Sequence, residues 1–212
     1  MRILVFGATG KTGKLVVQQA LENGVDVTAF VRNTSKVLIS HPKLNVVKGD
    51  VMISSTIDPV MKGHDAVICC LGMPASKPGE LRSKGTRHIV ESMKRSGVAK
   101  FICQTSLGYA DSKQILANTS FFFKRIIVPL LLKKTFDEHE LQESIIKQTQ
   151  LSWTIALPGN MTDGKLTGNY KTGFLSNDRS IKVKISRADT AHFLVRQLYS
   201  DDNARRVIGI SY

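Results

Sequence analysis

The chain has 212 residues, of which 42% are hydrophobic and 22% charged; this composition supports one sizeable core and excludes wholesale disorder. Its 30 lysines and arginines outnumber its 17 aspartates and glutamates, giving a net charge of +13 that attracts anions in general. Because the basic residues are scattered and not interleaved with aromatic residues, they indicate a basic solvated surface and no specific nucleic-acid interface.

Strand-like and helix-like segments alternate along the chain with short connections. Apolar runs predict strands at 2–7, 25–33, 44–51, 65–72, 98–106, 151–159, 180–186 and 205–212. Helical spacing of apolar residues predicts helices at 14–23, 56–62, 79–96, 136–148 and 187–199. Such alternation, with strands that are apolar on both faces, is typical of an α/β protein with a parallel sheet covered by helices on both sides. We therefore expect residues 1–212 to form one doubly wound domain.

The cysteines and histidines indicate no disulfide or metal site. Cys69, Cys70 and Cys103 all lie in apolar runs, and adjacent Cys69 and Cys70 should point to opposite faces of a strand. This pattern predicts reduced core thiols in a cytoplasmic protein. The first apolar run is too short for a signal peptide. The histidines lack metal-ligand spacing, and His139 and Glu140 are expected on a helix surface.

The most apolar segment is 121–134. Lys124, Arg125 and Pro129 interrupt it, so it is too short to be a continuous membrane span. It is expected to pack in the core, although it could also form a ligand-pocket wall or touch a membrane surface.

The stretch GATGKTGK, residues 7–14, follows the first predicted strand and suggests a phosphate-binding loop. A nucleotide-hydrolysing P-loop needs a glycine five residues before Gly10-Lys11-Thr12, and that position is Val5. Gly7, Gly10 and Gly13 instead give G-x-x-G-x-x-G, a variant of the dinucleotide fingerprint at a strand-to-helix junction. The helix amides that follow would hold the pyrophosphate.

The ends of the next strands predict which dinucleotide is bound. Arg32 stands where an NAD-preferring site has a carboxylate, and Ser35 and Lys36 come just after it. A guanidinium can hold a 2′-phosphate through two hydrogen bonds, so NADPH/NADP⁺ is the predicted cofactor. Further contacts are expected at the ends of the third and fourth strands, to the adenine edge from Asp50 and Val51 and to the cofactor from Leu71 and Gly72.

With these residues assembled, the chain resembles the atypical short-chain dehydrogenase/reductases of the NmrA-like, NAD(P)-binding group, and within it the NADPH-dependent flavin reductase/biliverdin-IXβ reductase family. The resemblance runs almost end to end, through GATGKTG, VTAFVRNTSK, KGDV, GHDAVICCLG, SKGTRHIVESMKRSGVAKFICQTS, LTGNY, ISRADTAHFL and ISY. It implies a Rossmann-type fold and hydride transfer from NADPH to a flavin or a linear tetrapyrrole. The oligomeric default is a monomer with no stable membrane insertion.

The resemblance also implies roles by position. The pyrophosphate would be held by Thr9, Gly10, Lys11 and Thr12, and the 2′-phosphate by Arg32, Ser35 and Lys36. Thr105 and Ser106 would reach the nicotinamide and substrate, with Ser106 as the candidate catalytic residue. The far wall would be formed by Pro158, Gly159 and Asn160. Substrate-side loops are expected around 73–80, 107–135 and 160–177.

The sequence departs from the family near the substrate. Gly72-Met73-Pro74 stands where a basic residue is expected, Asn160 replaces a histidine, and 107–134 matches poorly. Two alternatives therefore stay open: a non-catalytic NADP(H)-binding sensor or assembly factor, and a reductase or epimerase of a small carbonyl compound. The second alternative would need Tyr109 and Lys113 as a Tyr-x-x-x-Lys acid pair, but Tyr109 follows Ser106 too closely for that pair to sit on its usual helix.

Overall fold

The computed structural model describes residues 1–74, 79–108, 110–118, 121 and 133–212. Its strands are β1 (Arg2–Phe6), β2 (Asp26–Val31), β3 (Leu44–Lys48), β4 (Ala66–Cys69), β5 (Lys100–Gln104), β6 (Ser152–Pro158), β7 (Asn160–Thr162), β8 (Lys171–Thr172), β9 (Lys184–Ser186) and β10 (Arg206–Ser211). Its α-helices are α1 (Lys11–Glu22), α2 (Asp58–Met61), α3 (Leu81–Ser96), α4 (Lys133–Lys147) and α5 (Arg187–Arg196). Short 3₁₀ turns cover Thr34–Lys36, Ser54–Thr56 and Ala110–Asn118.

The main sheet has eight strands in the order β3-β2-β1-β4-β5-β6-β10-β8. All neighbours run parallel except β8, which pairs antiparallel with β10 and corrects the expectation of a purely parallel sheet. A separate parallel pair, β7 with β9, follows β6. The predicted strand at 180–186 is reduced to β9, because Val183 has φ +51°, which lies outside the strand region and interrupts the extended backbone before Lys184. The predicted doubly wound α/β fold is confirmed.

Alternate residues of each central strand enter two separate cores. One core packs the sheet against α3 and α4, and the other packs it against α1 and α5. Cys69 lies in the first core and Cys70 in the second, as predicted, and Cys103 joins Cys69. All three thiols are buried and free. Within the described residues, no helix is long and apolar enough to cross a bilayer.

The connection between β2 and β3 carries no α-helix. Parallel neighbours usually need a long crossover, most often helical, yet here the chain makes the turn Thr34–Lys36 and then runs extended to β3. One flank of α1 packs against α5, whereas no helix of the described residues covers the flank over β2.

The expectation that His139 lies on a helix surface is wrong, since it is 6% exposed. Burial, together with the positive charge of Arg82, lowers the pKa of His139 to about 3, so the imidazole is neutral in the folded protein. Glu140, its neighbour on α4, is exposed as expected.

Acid should therefore destabilise the protein through His139. The unfolded chain binds the His139 proton below its ordinary value of 6.5, while the folded chain does not until about pH 3. The contribution of the neutral His139 side chain to the unfolding free energy is thus fully present above about pH 6.5 and is lost as the pH falls from there to about pH 3. Between about pH 7 and about pH 5, the wild type should lose about 2 kcal/mol more unfolding free energy than His139→Gln, because the variant has no imidazole to protonate when it unfolds. Urea unfolding at both pH values measures this, with the exposed His41→Gln as control; equal losses in all three proteins would contradict it.

Candidate cofactor and substrate site

The predicted site residues converge on one edge of the sheet. The chain adds β2 and β3 on one side of β1 and then returns to build β4, β5 and β6 on the other side. The point where the strand order reverses is where doubly wound sheets bind ligands, beyond the carboxyl ends of the strands. The predicted residues follow these ends: 7–13 after β1, 32–36 after β2, 50–51 after β3, 71–72 after β4, 105–106 after β5, and 158–160 at and after the end of β6.

The loop from β1 into α1 requires its glycines. Gly7 has φ +77°, and a Cβ there would collide with the carbonyl oxygen of Cys70. A Cβ on Gly13 would collide with the carbonyl oxygen of Gly7, to which the Gly10 amide donates a hydrogen bond of 2.9 Å. The glycines therefore allow the loop to pass close to β4 and α1 to approach the loop.

The start of α1 offers backbone donors to an anion. Gly10 is the N-cap and has no side chain, and the first helical hydrogen bond runs from the Lys14 amide to the Gly10 carbonyl at 3.0 Å. The amides of the first turn, including those of Lys11 and Thr12, have no acceptor within the helix. The first turn carries no acidic side chain. This arrangement fits a pyrophosphate.

The side chains of the loop have different surroundings. Thr9 is partly exposed and Thr12 is buried, with its hydroxyl 3.7 Å from Met161 Sδ, so Thr12 offers its amide rather than its hydroxyl. Lys11 is exposed and donates to Asp163 Oδ2 at 3.2 Å. The hydrogen bond from Lys11 is the main cause that holds the pKa of Asp163 below its usual range. Because an exposed ion pair contributes little, Lys11 can exchange Asp163 for phosphate.

A basic turn follows β2. Arg32, Ser35 and Lys36 are exposed, and neither cation forms an ion pair with a described residue. Asn33, which the sequence analysis missed, holds the turn: its Oδ1 accepts from the Ser35 amide at 3.0 Å and from the Ser35 hydroxyl at 2.8 Å. An asparagine before Thr-Ser is a turn signal that could have revealed this role. The turn places Arg32 and Lys36 beyond the strand next to the phosphate-binding loop.

Residues after the ends of β3 and β4 both contact α3. Val51 is buried, and its carbonyl bonds to His88 Nδ1 of α3 at 2.8 Å. Asp50 is partly exposed and accepts from the Met52 amide at 3.0 Å through Oδ1. A Cβ on Gly85 of α3 would lie 2.9 Å from a Leu71 methyl and 3.0 Å from a Val51 methyl.

Open space lies beside the end of β4. Leu71 is buried, whereas Gly72 is exposed and a Cβ placed on it would have no atom of the described residues within 4 Å. Because Gly72 has no side chain, this part of the crevice is not narrowed there.

The end of β5 divides its side chains between the two faces of the sheet. Thr105 is 2% exposed and donates its hydroxyl to Glu143 of α4 at 2.9 Å, so its side chain anchors β5 and does not reach the crevice as the resemblance implied. Ser106 is partly exposed, with its hydroxyl 3.3 Å from the Leu107 carbonyl that accepts from it. Ser106 remains the candidate that can contact a substrate.

Gln104 is a candidate site residue that the sequence analysis missed. Its Nε2 lies 3.6 Å from Met161 Sδ, a weak acceptor, and its buried Oε1 has no hydrogen-bond partner among the described residues. Met161 also contacts Thr12, so Gln104 lies close to the start of α1. A buried acceptor without a partner costs stability unless a ligand supplies a donor. The available signal was a polar residue inside the apolar run FICQ.

Replacing Gln104 with leucine should separate cofactor binding from stability. Leucine removes the unpartnered acceptor, so the unfolding free energy of the cofactor-free protein should stay equal or rise. If a ribose hydroxyl or carboxamide of the cofactor donates to Oε1, NADPH affinity should fall about fivefold, the worth of one hydrogen bond. Thermal unfolding and calorimetric titration measure the two quantities; unchanged affinity would remove Gln104 from the site.

The segment after β6 is held by close backbone packing. Pro158 and Gly159 are buried, and a Cβ on Gly159 would lie 2.7 Å from the Val183 carbonyl carbon. Val183 itself has φ +51°, an uncommon conformation for a β-branched residue. Asn160 is exposed, and its amide donates to the Val183 carbonyl at 2.9 Å. Asn160 is thus the member of this predicted wall with a side chain open to a ligand.

Part of the predicted substrate side is not described. Tyr109 and residues 122–132 lie outside the described residues, and so do 75–78 of the first predicted loop. The Tyr109 and Lys113 pair and the role of the apolar segment 121–134 therefore stay predictions.

The sequence matches the model of the NAD(P)H-binding family over residues 7–201, and the chain belongs to that family. A chloroplastic protein of Arabidopsis thaliana is 31% identical, over 99% of this chain and 76% of its own length. The photosystem II assembly factor Ycf39 of Synechocystis is 26% identical over 97% of this chain, which spans 61% of Ycf39. The nicotinamide dinucleotide predicted from the glycine triplet is thereby confirmed as the cofactor.

Solved structures are similar in fold. The oxidoreductase ylbE of Lactococcus lactis matches with a TM-score of 0.82 and 19% identity, over all of this chain and 90% of its own. ChuY, an anaerobilin reductase of Escherichia coli, matches at 0.80 and 21%, over all of this chain and 97% of its own. A short-chain dehydrogenase/reductase of Veillonella parvula in complex with NADP matches at 0.79 and 15%, over all of this chain and 94% of its own. These likenesses confirm the predicted Rossmann-type fold.

Proposed function

We propose that this protein is an NADPH-dependent reductase that transfers hydride to a flavin or a linear tetrapyrrole. The observation that carries the proposal is the pairing of a basic turn after β2 with an open crevice beyond β4 and β5. Arg32 and Lys36 provide two cations where an NAD-preferring site has a carboxylate. Gly72 carries no side chain that would narrow the crevice for a planar acceptor, and no described atom lies within 4 Å of a Cβ placed there. The fold likeness to an anaerobilin reductase supports the acceptor class.

The chain's own contribution is positioning. A bound nicotinamide supplies the hydride, and little proton chemistry is asked of the protein when the acceptor is a flavin or a tetrapyrrole. The amides at the start of α1 hold the pyrophosphate and fix the cofactor along the strand ends. Ser106, partly exposed at the end of β5, orients the acceptor or passes it a proton from solvent. Asn160 contacts the acceptor from the opposite wall.

A second candidate function is a non-catalytic NADP(H)-binding assembly factor. It is favoured by the 26% identity to Ycf39 over almost the whole of this chain. In that case the cofactor would be bound and the crevice beyond β5 would not turn over an acceptor. The three free thiols support a reducing compartment for either function; the cytoplasm and a monomeric state belong to the same proposal.

Turnover separates the two functions. The purified protein is mixed with NADPH and with FMN or biliverdin, and the loss of reduced nicotinamide absorbance is followed. The reductase proposal predicts acceptor-dependent oxidation, with Ser106→Ala lowering kcat/KM about tenfold, the worth of one oriented hydrogen bond. Ser152→Ala, a partly exposed serine at the opposite edge of the sheet, is the control. Tight NADP⁺ binding without oxidation of NADPH by either acceptor would favour the assembly factor.

A further inference from the structure

A groove runs along the flank of α1 that no crossover helix covers. It has a volume of ≈ 790 Å³ and lies between α1, the extended segment after the Thr34–Lys36 turn, and the loop after β7. Because the β2–β3 connection lacks a helix, the groove reaches the sheet itself at Ala29 of β2. Its volume falls within the range of small-molecule sites, about 300–1,000 Å³. We call it the α1 groove.

The α1 groove is largely apolar. Val17 and Ala29 lie buried at its base. Leu15, Val37 and Leu166 line its walls, and Leu166 is 49% exposed. Exposed apolar surface gathered in a concave site marks a place where an apolar body gains by leaving water.

The α1 groove is also lined by a glutamine whose side-chain oxygen is buried without a hydrogen-bond partner among the described residues. Gln19 of α1 lines the α1 groove and is 8% exposed. Its Nε2 donates to the Ala188 carbonyl at 3.0 Å, but its Oε1 has no hydrogen-bond partner among the described residues.

The rim of the α1 groove is basic. Lys14 and Lys165 are exposed and form no ion pair within the described part of the chain. Two acidic residues, Asp163 and Glu22, also line the α1 groove. Asp163 keeps its ion pair with Arg187 at 2.6 Å when Lys11 exchanges it for phosphate, and Glu22 accepts a hydrogen bond from Gln18 at 2.9 Å. The remaining positive charge favours an anionic end on whatever the groove binds.

We propose that the α1 groove is a second binding site that takes one amphipathic anion, with an aliphatic or aromatic body and a terminal phosphate or carboxylate. The body lies on Leu15, Val37 and Leu166, and the acidic group lies between Lys14 and Lys165. A single molecule fits the concave shape better than a flat membrane surface does. The α1 groove shares Lys11 and Lys36 with the proposed dinucleotide site and extends from there along α1 to Gln19 and Glu22. The amphipathic anion therefore lies along α1 beside the dinucleotide, and both ligands bind together.

Calorimetric titration with monomeric dodecyl phosphate tests the proposal, in the presence of saturating NADP⁺. We expect one dodecyl phosphate site per chain. Inorganic phosphate lacks the apolar body, dodecanol lacks the acidic group, and dodecyltrimethylammonium carries the opposite charge. Each should therefore bind at least about tenfold more weakly than dodecyl phosphate. Displacement of NADP⁺ by dodecyl phosphate, or equal affinity for dodecanol, would overturn the proposal. Binding to anionic vesicles without binding of the monomer would also overturn it.

Two variants locate the site. Leu166→Asp should weaken dodecyl phosphate binding about tenfold or more, since it places a carboxylate on the apolar wall. Leu141→Asp on α4 is the matched control, because Leu141 is 46% exposed on the other side of the sheet. Lys165→Glu should weaken binding similarly, with Lys94→Glu on α3 as control. The proposal fails if the control variants weaken binding as much as Leu166→Asp and Lys165→Glu, or if neither of those two changes it.

Discussion

Gly13→Ala should abolish measurable NADPH binding. The added methyl group collides with the Gly7 carbonyl oxygen, which is backbone and cannot move aside like a side chain. Relief of the collision must push α1 away from the β1 loop and displace the amides that would hold the pyrophosphate. We also expect a loss of about 1–3 kcal/mol in unfolding free energy, the usual cost of overpacking. Calorimetric titration and urea unfolding measure the two effects.

Gly79→Ala provides the matched control for Gly13→Ala. Among the described residues, a Cβ on Gly79 would make its closest contact at 3.5 Å with the side chain of Met73, an ordinary van der Waals distance. This variant should keep the wild-type affinity and stability. NADPH binding by Gly13→Ala at wild-type affinity would contradict the role assigned to the loop.

Arg32→Ala should convert a phosphate-selective site into a weakly selective one. A guanidinium hydrogen bond to a phosphate is worth about 1.5–3 kcal/mol, so NADPH affinity should fall about 10- to 100-fold while NADH affinity stays unchanged. The selectivity arises because only NADPH carries the 2′-phosphate. Titration of both dinucleotides into wild type and variant measures it.

Lys48→Ala controls for the general field of the basic surface. Lys48 is an exposed cation at the end of β3, on the same edge of the sheet as Arg32. Its removal should change both affinities little. Equal losses for NADPH and NADH in Arg32→Ala would show that Arg32 does not hold the 2′-phosphate.

The order of strands and helices could be predicted because the apolar periodicity and the glycine breaks are local properties of the sequence. The glycine triplet and Arg32 could then be placed at one edge of the sheet, because parallel strands bring their carboxyl ends together. The antiparallel pairing of β8 could not, because Lys171–Thr172 is too short to carry a periodic pattern and pairs only through contact with β10.

The buried face of α4 shows a different limit. His139, Gln142, Glu143 and Ile146 recur at helical spacing and form a buried stripe that is mostly polar. Hydrophobic periodicity cannot detect such a stripe, since its members are stabilised by tertiary hydrogen bonds. Gln142 donates to Thr86 at 2.9 Å, and Glu143 accepts from Thr105. The error on His139 and the misplacement of the Thr105 side chain therefore share one cause.

Gln104 and Asn33, both missed from the sequence, differ in how far away along the chain their partners lie. The role of Gln104 depends on Met161, which lies 57 residues away along the chain in β7. The role of Asn33 is local and was signalled by the sequence. What distinguishes the two is whether the partner of the side chain lies within a few residues.

A single-turnover experiment shows whether the bound NADPH gives its hydride to an acceptor. The protein is loaded with one equivalent of NADPH carrying deuterium at the transferable position, and excess biliverdin or FMN is added under anaerobic conditions. We expect oxidation of the bound NADPH by at least one acceptor. With biliverdin, the deuterium should be recovered on a carbon of the reduced tetrapyrrole; with FMN, the reduced flavin spectrum should appear. Bound NADPH that stays reduced in the presence of both acceptors would contradict the reductase proposal.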